Sequence, residues 1–138
     1  MKQKITLLLL SFILVVSALA QQNNPVAVAD ITPEQIVNIQ IEAYNARDID
    51  AFLATYSDDI EIYDNAGKMT MKGHDDMRKS YSKLFDNTPN LNCRIENRII
   101  INNKVIDKEN VIANDRILEA VAIYDVENGK ITKVRFVK

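Results

Sequence analysis

Cysteine and histidine occur once each in the 138 residues, and glycine and proline three times each. A lone cysteine, Cys93, excludes an intrachain disulfide and any cysteine-rich zinc centre. His74 is the one histidine, and carboxylates do not cluster beside it at i, i+4 spacing, so no metal is expected. Basic charge is not in excess either. A formal net charge of −2 and a pI near 5.4 provide no basic face to neutralise phosphates, which argues against nucleic acid as a partner. Repeats and low-complexity tracts are missing. What is there, 47% hydrophobic and 26% charged residues of mixed sign, is the composition of a globular domain.

The longest apolar run opens the chain and is too short for a bilayer span, which needs roughly 20 residues. Lys2 and Lys4 precede Ile5 to Val16, and Ser17-Ala18-Leu19-Ala20 places small residues where a signal peptidase reads them. A charged start, an apolar middle and an A-x-A end describe a secretory signal peptide over residues 1–20. The expected product begins at Gln21 and is exported, periplasmic or secreted, with no membrane association after cleavage. No cysteine follows the cleavage site, which argues against a lipid anchor. Residues 21–31 read as a flexible lead-in and 32–138 as one domain. Cys93 then lies in an oxidising compartment without a partner, and a buried, inert role is expected for it.

Within the domain, Thr32-Pro33-Glu34-Gln35 is a helix start. Threonine caps, proline suits the first turn, and Gln35 completes a capping box. Val37, Ile41 and Tyr44 continue at helical spacing to about Ala46-Arg47. Asp48 opens a short helix carrying Ile49, Phe52, Leu53 and Tyr56, which Ser57-Asp58-Asp59 is expected to break. Ile60 to Asp64 alternates as a strand, Asn65-Ala66-Gly67 turns, and Lys68 to Lys72 alternates again. A third helix follows Gly73, with exposed His74 and with Asp75 and Asp76 in its first turn, where anions are favoured. Strands are expected over Leu91–Asn102, Lys104–Ala113, Arg116–Val126 and Ile131–Val137, with Asn102-Asn103 and Asn128-Gly129 as hairpin turns. Helices segregated ahead of consecutive antiparallel strands indicate an α+β domain.

Several phrases resemble the SnoaL-like group of the nuclear transport factor 2-like superfamily. They are Ala43-Tyr44-Asn45-Ala46-Arg47-Asp48-Ile49-Asp50-Ala51-Phe52, Tyr56-Ser57-Asp58-Asp59-Ile60-Glu61-Ile62-Tyr63-Asp64, Lys72-Gly73-His74-Asp75 with Arg78, Tyr81 and Phe85, and Glu119 to Tyr124 with Asn128-Gly129-Lys130-Ile131. The resemblance implies a cystatin-like cone: three helices packed on a strongly curved antiparallel sheet, with a pocket, commonly as a homodimer. It implies a small-molecule ligand and no cofactor. It does not fix an activity, because this fold hosts isomerases, cyclases, dehydratases, hydrolases and binding domains.

In steroid Δ-isomerases of that superfamily a strand-end aspartate shuttles a proton beside a carbonyl, and Asp64 holds the matching position. The resemblance thus implies an isomerase or lyase step with Asp64 as general base. The residues alone also allow Asp64 to initiate the turn at Asn65-Ala66-Gly67 by accepting backbone N–H bonds. The oxyanion donors of those enzymes, a tyrosine and a protonated aspartic acid, align with Gln40 and with Ala120 or Val121, which do not reproduce them. The expected ligand wall comprises Tyr63, Tyr124, Asp107, Ala120, Ala122, Val134 and Phe136, with the alanines leaving room. Asp107 and Glu119 have an alternative role as cross-strand ion pairs with Arg98 or Arg116. A non-catalytic binding or self-associating domain is the competing functional reading.

Overall fold

The computed structural model describes residues 30–137. The expected signal peptide and the lead-in up to residue 29 lie outside the described residues. Helix α1 (Pro33–Ala46) begins with the expected capping box. Thr32 Oγ1 accepts from the Gln35 N–H at 3.2 Å, and Gln35 Oε1 accepts from the Thr32 N–H at 2.9 Å. It ends where Arg47 turns left-handed at φ 56°, donating its N–H to the carbonyls of Ala43 and Tyr44. Asp48 then caps α2 (Ile49–Leu53) by accepting from the N–H groups of Asp50 and Ala51.

Strand β1 (Tyr56–Tyr63) starts four residues ahead of the expected Ile60. Tyr56 belongs to this strand, not to the preceding helix, which ends at Leu53 ahead of Ser57-Asp58-Asp59, and that triplet continues the strand. Tertiary pairing overrides the local turn preference. The Ile131 N–H donates to the Thr55 carbonyl, Tyr56 stands beside Ile131, and the pairing then skips the polar triplet to resume at Glu61. β2 (Met69–Lys72) returns antiparallel to β1. Gly73, at φ +75°, turns the chain into α3 (Gly73–Asn87), and a Cβ there would stand 3.3 Å from the Asp58 carbonyl. Strands β3 (Asn92–Ile101), β4 (Lys104–Ala113), β5 (Arg116–Glu127) and β6 (Lys130–Val137) follow. Asn102, Asn114 and Asn128 all adopt positive φ in the intervening turns, as asparagine does at low cost.

The sheet order is β2-β1-β6-β5-β4-β3. The expectation of a wholly antiparallel sheet is corrected here, because β1 and β6 run parallel. Alternation sets which face of a strand is buried but not which strand lies next to it, so this neighbour was not readable. The three helices cover one face. Phe52, Leu53, Ile60, Ile62, Met77, Val105, Ile131 and Val134 form the dry centre, each at most 2% exposed. Each such side chain contributes about 1.5–3 kcal/mol on burial. Between helices and sheet, Tyr44, Phe52, Tyr56, Tyr81 and Phe85 interlock, their neighbouring ring centroids 4.6 to 6.3 Å apart.

Candidate active site

Between the helices and the concave face of the sheet lies a half-open cavity of about 500 Å3. That volume lies within the range of small-molecule sites. Its walls come from α1 (Gln40, Ile41, Tyr44), β1 and the following turn (Tyr56, Ile62 to Ala66), β2 (Thr70, Met71), α3 (Tyr81) and the inward faces of β3 to β6.

Strand β4 supplies the chemistry. Its inward parity is Val105, Asp107, Glu109 and Val111, so a period of two places two carboxylates on the covered face. The two have different environments. Asp107 is fully buried and faces Arg98, its register partner on β3. Arg98 donates Nε–H to Oδ1 and Nη2–H to Oδ2, both at 2.7 Å, and reaches Asn38 on α1 with Nη1. The two-pronged contact with Asp107 holds the guanidinium above its ordinary pKa.

Glu109 has no such cation bonded to it. It is 4% exposed, lines the cavity and accepts one hydrogen bond, from the Tyr124 hydroxyl to Oε1 at 2.7 Å. Burial pushes its carboxyl up to about 7, with Asp107 adding to the rise and the Tyr124 hydrogen bond and Arg98 opposing it. A carboxyl that titrates near neutrality in a largely apolar cavity can both take and give a proton. Burial raises the hydroxyls of Tyr44, Tyr56, Tyr81 and Tyr124, so these stay protonated. The Cys93 thiol is pushed up to about 12, chiefly by burial, which fits the inert role expected for it.

Of the residues assigned to the wall from sequence, Tyr63, Asp64, Ala120, Tyr124 and Phe136 line the cavity. Asp107, Ala122 and Val134 do not. Asp107 is taken up by Arg98, the ion-pair alternative. Ala122 and Val134 have the inward parity, but they lie deeper in the curve, in the dry core. Asp64 stands at the start of the β1–β2 turn. Its Oδ1 accepts from the Lys68 N–H at 2.9 Å, and its carbonyl accepts from the Gly67 N–H. His74 is half-buried, not exposed, with Nε2 3.3 Å from the Tyr56 carbonyl. Among the described residues no group of three metal-binding side chains occurs, and no helix is long and apolar enough to cross a membrane.

Among the lining residues that the sequence reading did not assign to the site are Glu109 and Gln40. Glu109 was hidden beside Asp107, although both share parity with Val105 and Val111. Gln40 was treated only as a missing tyrosine. It is 5% exposed on the buried stripe of α1, and its Oε1 has no hydrogen-bond partner.

A helix-covered curved sheet with a cavity is the architecture of the cystatin-like, nuclear transport factor 2-like proteins. The family model of the SnoaL-like domain matches residues 38–134, and the chain belongs to that family. A cystatin-fold protein of Novosphingobium aromaticivorans is 23% identical with a TM-score of 0.71, over 78% of this chain and 98% of that one. A Kribbella flavida protein provisionally named a ketosteroid isomerase is 13% identical with a TM-score of 0.67, over 76% of each chain. A Sinorhizobium meliloti protein provisionally named a polyketide cyclase is 16% identical with a TM-score of 0.64, over 73% of this chain and 92% of that one. These likenesses show the fold. No curated relative matches the sequence.

Proposed function

We propose that the domain encloses a small organic ligand and moves a proton on it without a cofactor, as an isomerase or lyase does, with Glu109 as the proton-transferring group. The observation that carries this reading is the Glu109–Tyr124 pair: a buried carboxyl, anchored by one hydroxyl, exposed to the cavity and poised near pH 7. The strand-end aspartate was the first candidate base. Asp64 lines the mouth with one carboxylate oxygen engaged by the turn, and it serves in this reading to position polar ligand atoms.

Deuterium incorporation from D2O into a panel of small carbonyl carbon acids, followed by NMR, tests the reaction class. Exchange above buffer that falls 100-fold or more in Glu109→Gln is expected, the usual scale for loss of a general base (~10²–10⁴). Equal exchange in both proteins sinks the assignment. The competing reading, binding without turnover, draws support from the alignment of Gln40, and of Ala120 or Val121, with the oxyanion donors of steroid isomerases. Native mass spectrometry of protein from its own host would then reveal a captured ligand while no exchange is found.

Export and self-association belong to the same proposal. The signal sequence over residues 1–20 supports export, and an intact mass beginning at Gln21 would establish it. Ile99 and Ile101, each more than half exposed, stand together on the outward side of β3, which supports a homodimer through the open sheet face. A monomer by sedimentation at micromolar concentration would refute that arrangement.

A further inference from the structure

The cavity is lined by two acids, Asp64 and Glu109, and by no lysine, arginine or histidine among the described residues. All five tyrosines of the chain contribute to the wall. Lys133 lies 5.6 Å above the Tyr63 ring but is not part of the lining. The deepest polar feature on α1 is Gln40 Oε1, an acceptor more than nine-tenths buried that no protein donor satisfies. The N–H side of the Gln40 amide faces the Tyr56 hydroxyl, which leaves Oε1 as a buried acceptor open to another donor. It marks a place where something else donates.

We infer that the cavity takes a protonated amine, whose ammonium group is held between Glu109 and the unpartnered Gln40 Oε1 among the tyrosine side chains. An ammonium supplies the N–H donors that Gln40 and Glu109 can accept, and its charge is favoured both by a carboxylate and by aromatic faces. An anionic ligand would bring like charge against two carboxylates with no compensating cation. A neutral alcohol would satisfy one acceptor and leave the charge of Glu109 unanswered. This names the ligand class of the enclosed-ligand reading and rests on that reading, not on catalysis.

The ionisation of Glu109 sets the pH dependence. The groups facing it are Tyr124 from β5, Asp107 on its own strand, Arg98 and Cys93 from β3, Tyr44 from α1, Tyr56 from β1 and Tyr81 from α3. The tyrosines and the thiol remain neutral through pH 8, and Arg98 is committed to Asp107. Glu109 is therefore the member that changes charge near neutrality. Affinity for an amine that stays protonated throughout should rise as pH climbs from 6 to 8.

The test uses three probes of similar size, 2-phenylethylamine, 2-phenylethanol and 3-phenylpropanoate, titrated against the domain by NMR at pH 6 and pH 8. The expected order at pH 8 is amine, then alcohol, then acid, with about a tenfold preference for amine over alcohol that narrows at pH 6. Glu109→Gln, checked for folding by its melting curve, should reduce that preference to about twofold. Gln40→Leu, which removes the acceptor and leaves the carboxylate, should weaken amine binding at both pH values. Alcohol or acid binding as tightly as the amine, or a preference surviving intact in Glu109→Gln, overturns the amine assignment while the enclosed-ligand reading stands. Binding of none of the three removes both.

Discussion

Tyr124 and Glu109 are hydrogen-bonded although they are not register partners. Tyr124 pairs across the β4–β5 ladder with Val105, and Glu109 pairs with Ala120, four residues further along β5. The phenol must therefore lean along its strand across the position of Ala122, which is fully buried and small enough to be passed over. The alanine expected to make room for a ligand instead makes room for the residue that anchors the carboxyl.

Replacing Tyr124 by Phe should raise the Glu109 pKa above about 7, because the hydroxyl hydrogen bond is the larger of the two effects that oppose the rise, ahead of Arg98. The loss of the bond should cost about 1–3 kcal/mol, since a buried acceptor is left unpaired. Carboxyl chemical shifts of the glutamates across a pH titration check the direction, and denaturant melts check the cost. Ala122→Leu should have a similar effect by overpacking, at about 1–3 kcal/mol.

Glu109→Gln should make stability less dependent on pH. A carboxyl raised from 4.5 to about 7 on folding binds a proton more tightly in the native state. The stability it contributes is full below pH 4.5, declines above that, and is gone once pH passes about 7. The wild type should therefore lose on the order of 3 kcal/mol between pH 4.5 and 8 from this group alone, and the variant should not. Urea melts at several pH values measure the difference. A variant with the same slope as the wild type would remove Glu109 as its cause.

Arg98 and Asp107 behave as one unit. Arg98→Met leaves a fully buried carboxylate without its partner and should cost about 3–5 kcal/mol. The double variant Arg98→Met, Asp107→Leu removes both charges and should recover most of that loss. A double-mutant cycle by thermal or urea unfolding gives the coupling.

Asp64 separates by its two amide-like and apolar replacements. Asp64→Ala loses the acceptor for the Lys68 N–H and should cost about 1 kcal/mol. Asp64→Asn retains a carbonyl oxygen at that position and should be nearly neutral. A gain in stability in both variants would instead mark Asp64 as a carboxylate held at a cost for function.

The bounds of α1, the Asn-Gly turn and the α+β class were legible because each rests on neighbours in sequence. Thr32 and Gln35 are three residues apart, and Asn128 and Gly129 are adjacent. The ion pair of Asp107 with Arg98 was also among the sequence readings, since both lie on strands joined by a short hairpin. The β1–β6 pairing was not legible, because nothing local connects Tyr56 to Ile131. Glu109 was within reach, as its parity with Val105 and Val111 already placed it inward. Its sequence neighbour Lys108 has the opposite parity and pairs with Glu96 on the outer side. Gln40 carried a signal too, a polar residue on the stripe of Ile36, Val37 and Ala43, but its lack of a partner is a fact of three dimensions.

The parallel seam between β1 and β6 also governs how the molecule is made. Ile62, Tyr63 and Asp64 form one bank of the cavity and Tyr124 and Phe136 the other, and the two banks meet along that seam alone. Until β6 has been synthesised, β1 and β2 have no sheet to join, and the cleft has no second wall. Such non-local closure is slow compared with hairpin formation. For the exported chain proposed above, that slowness is useful. A polypeptide threaded through a membrane must arrive unfolded, and in this topology the cleft lacks its second wall until β6 is in place.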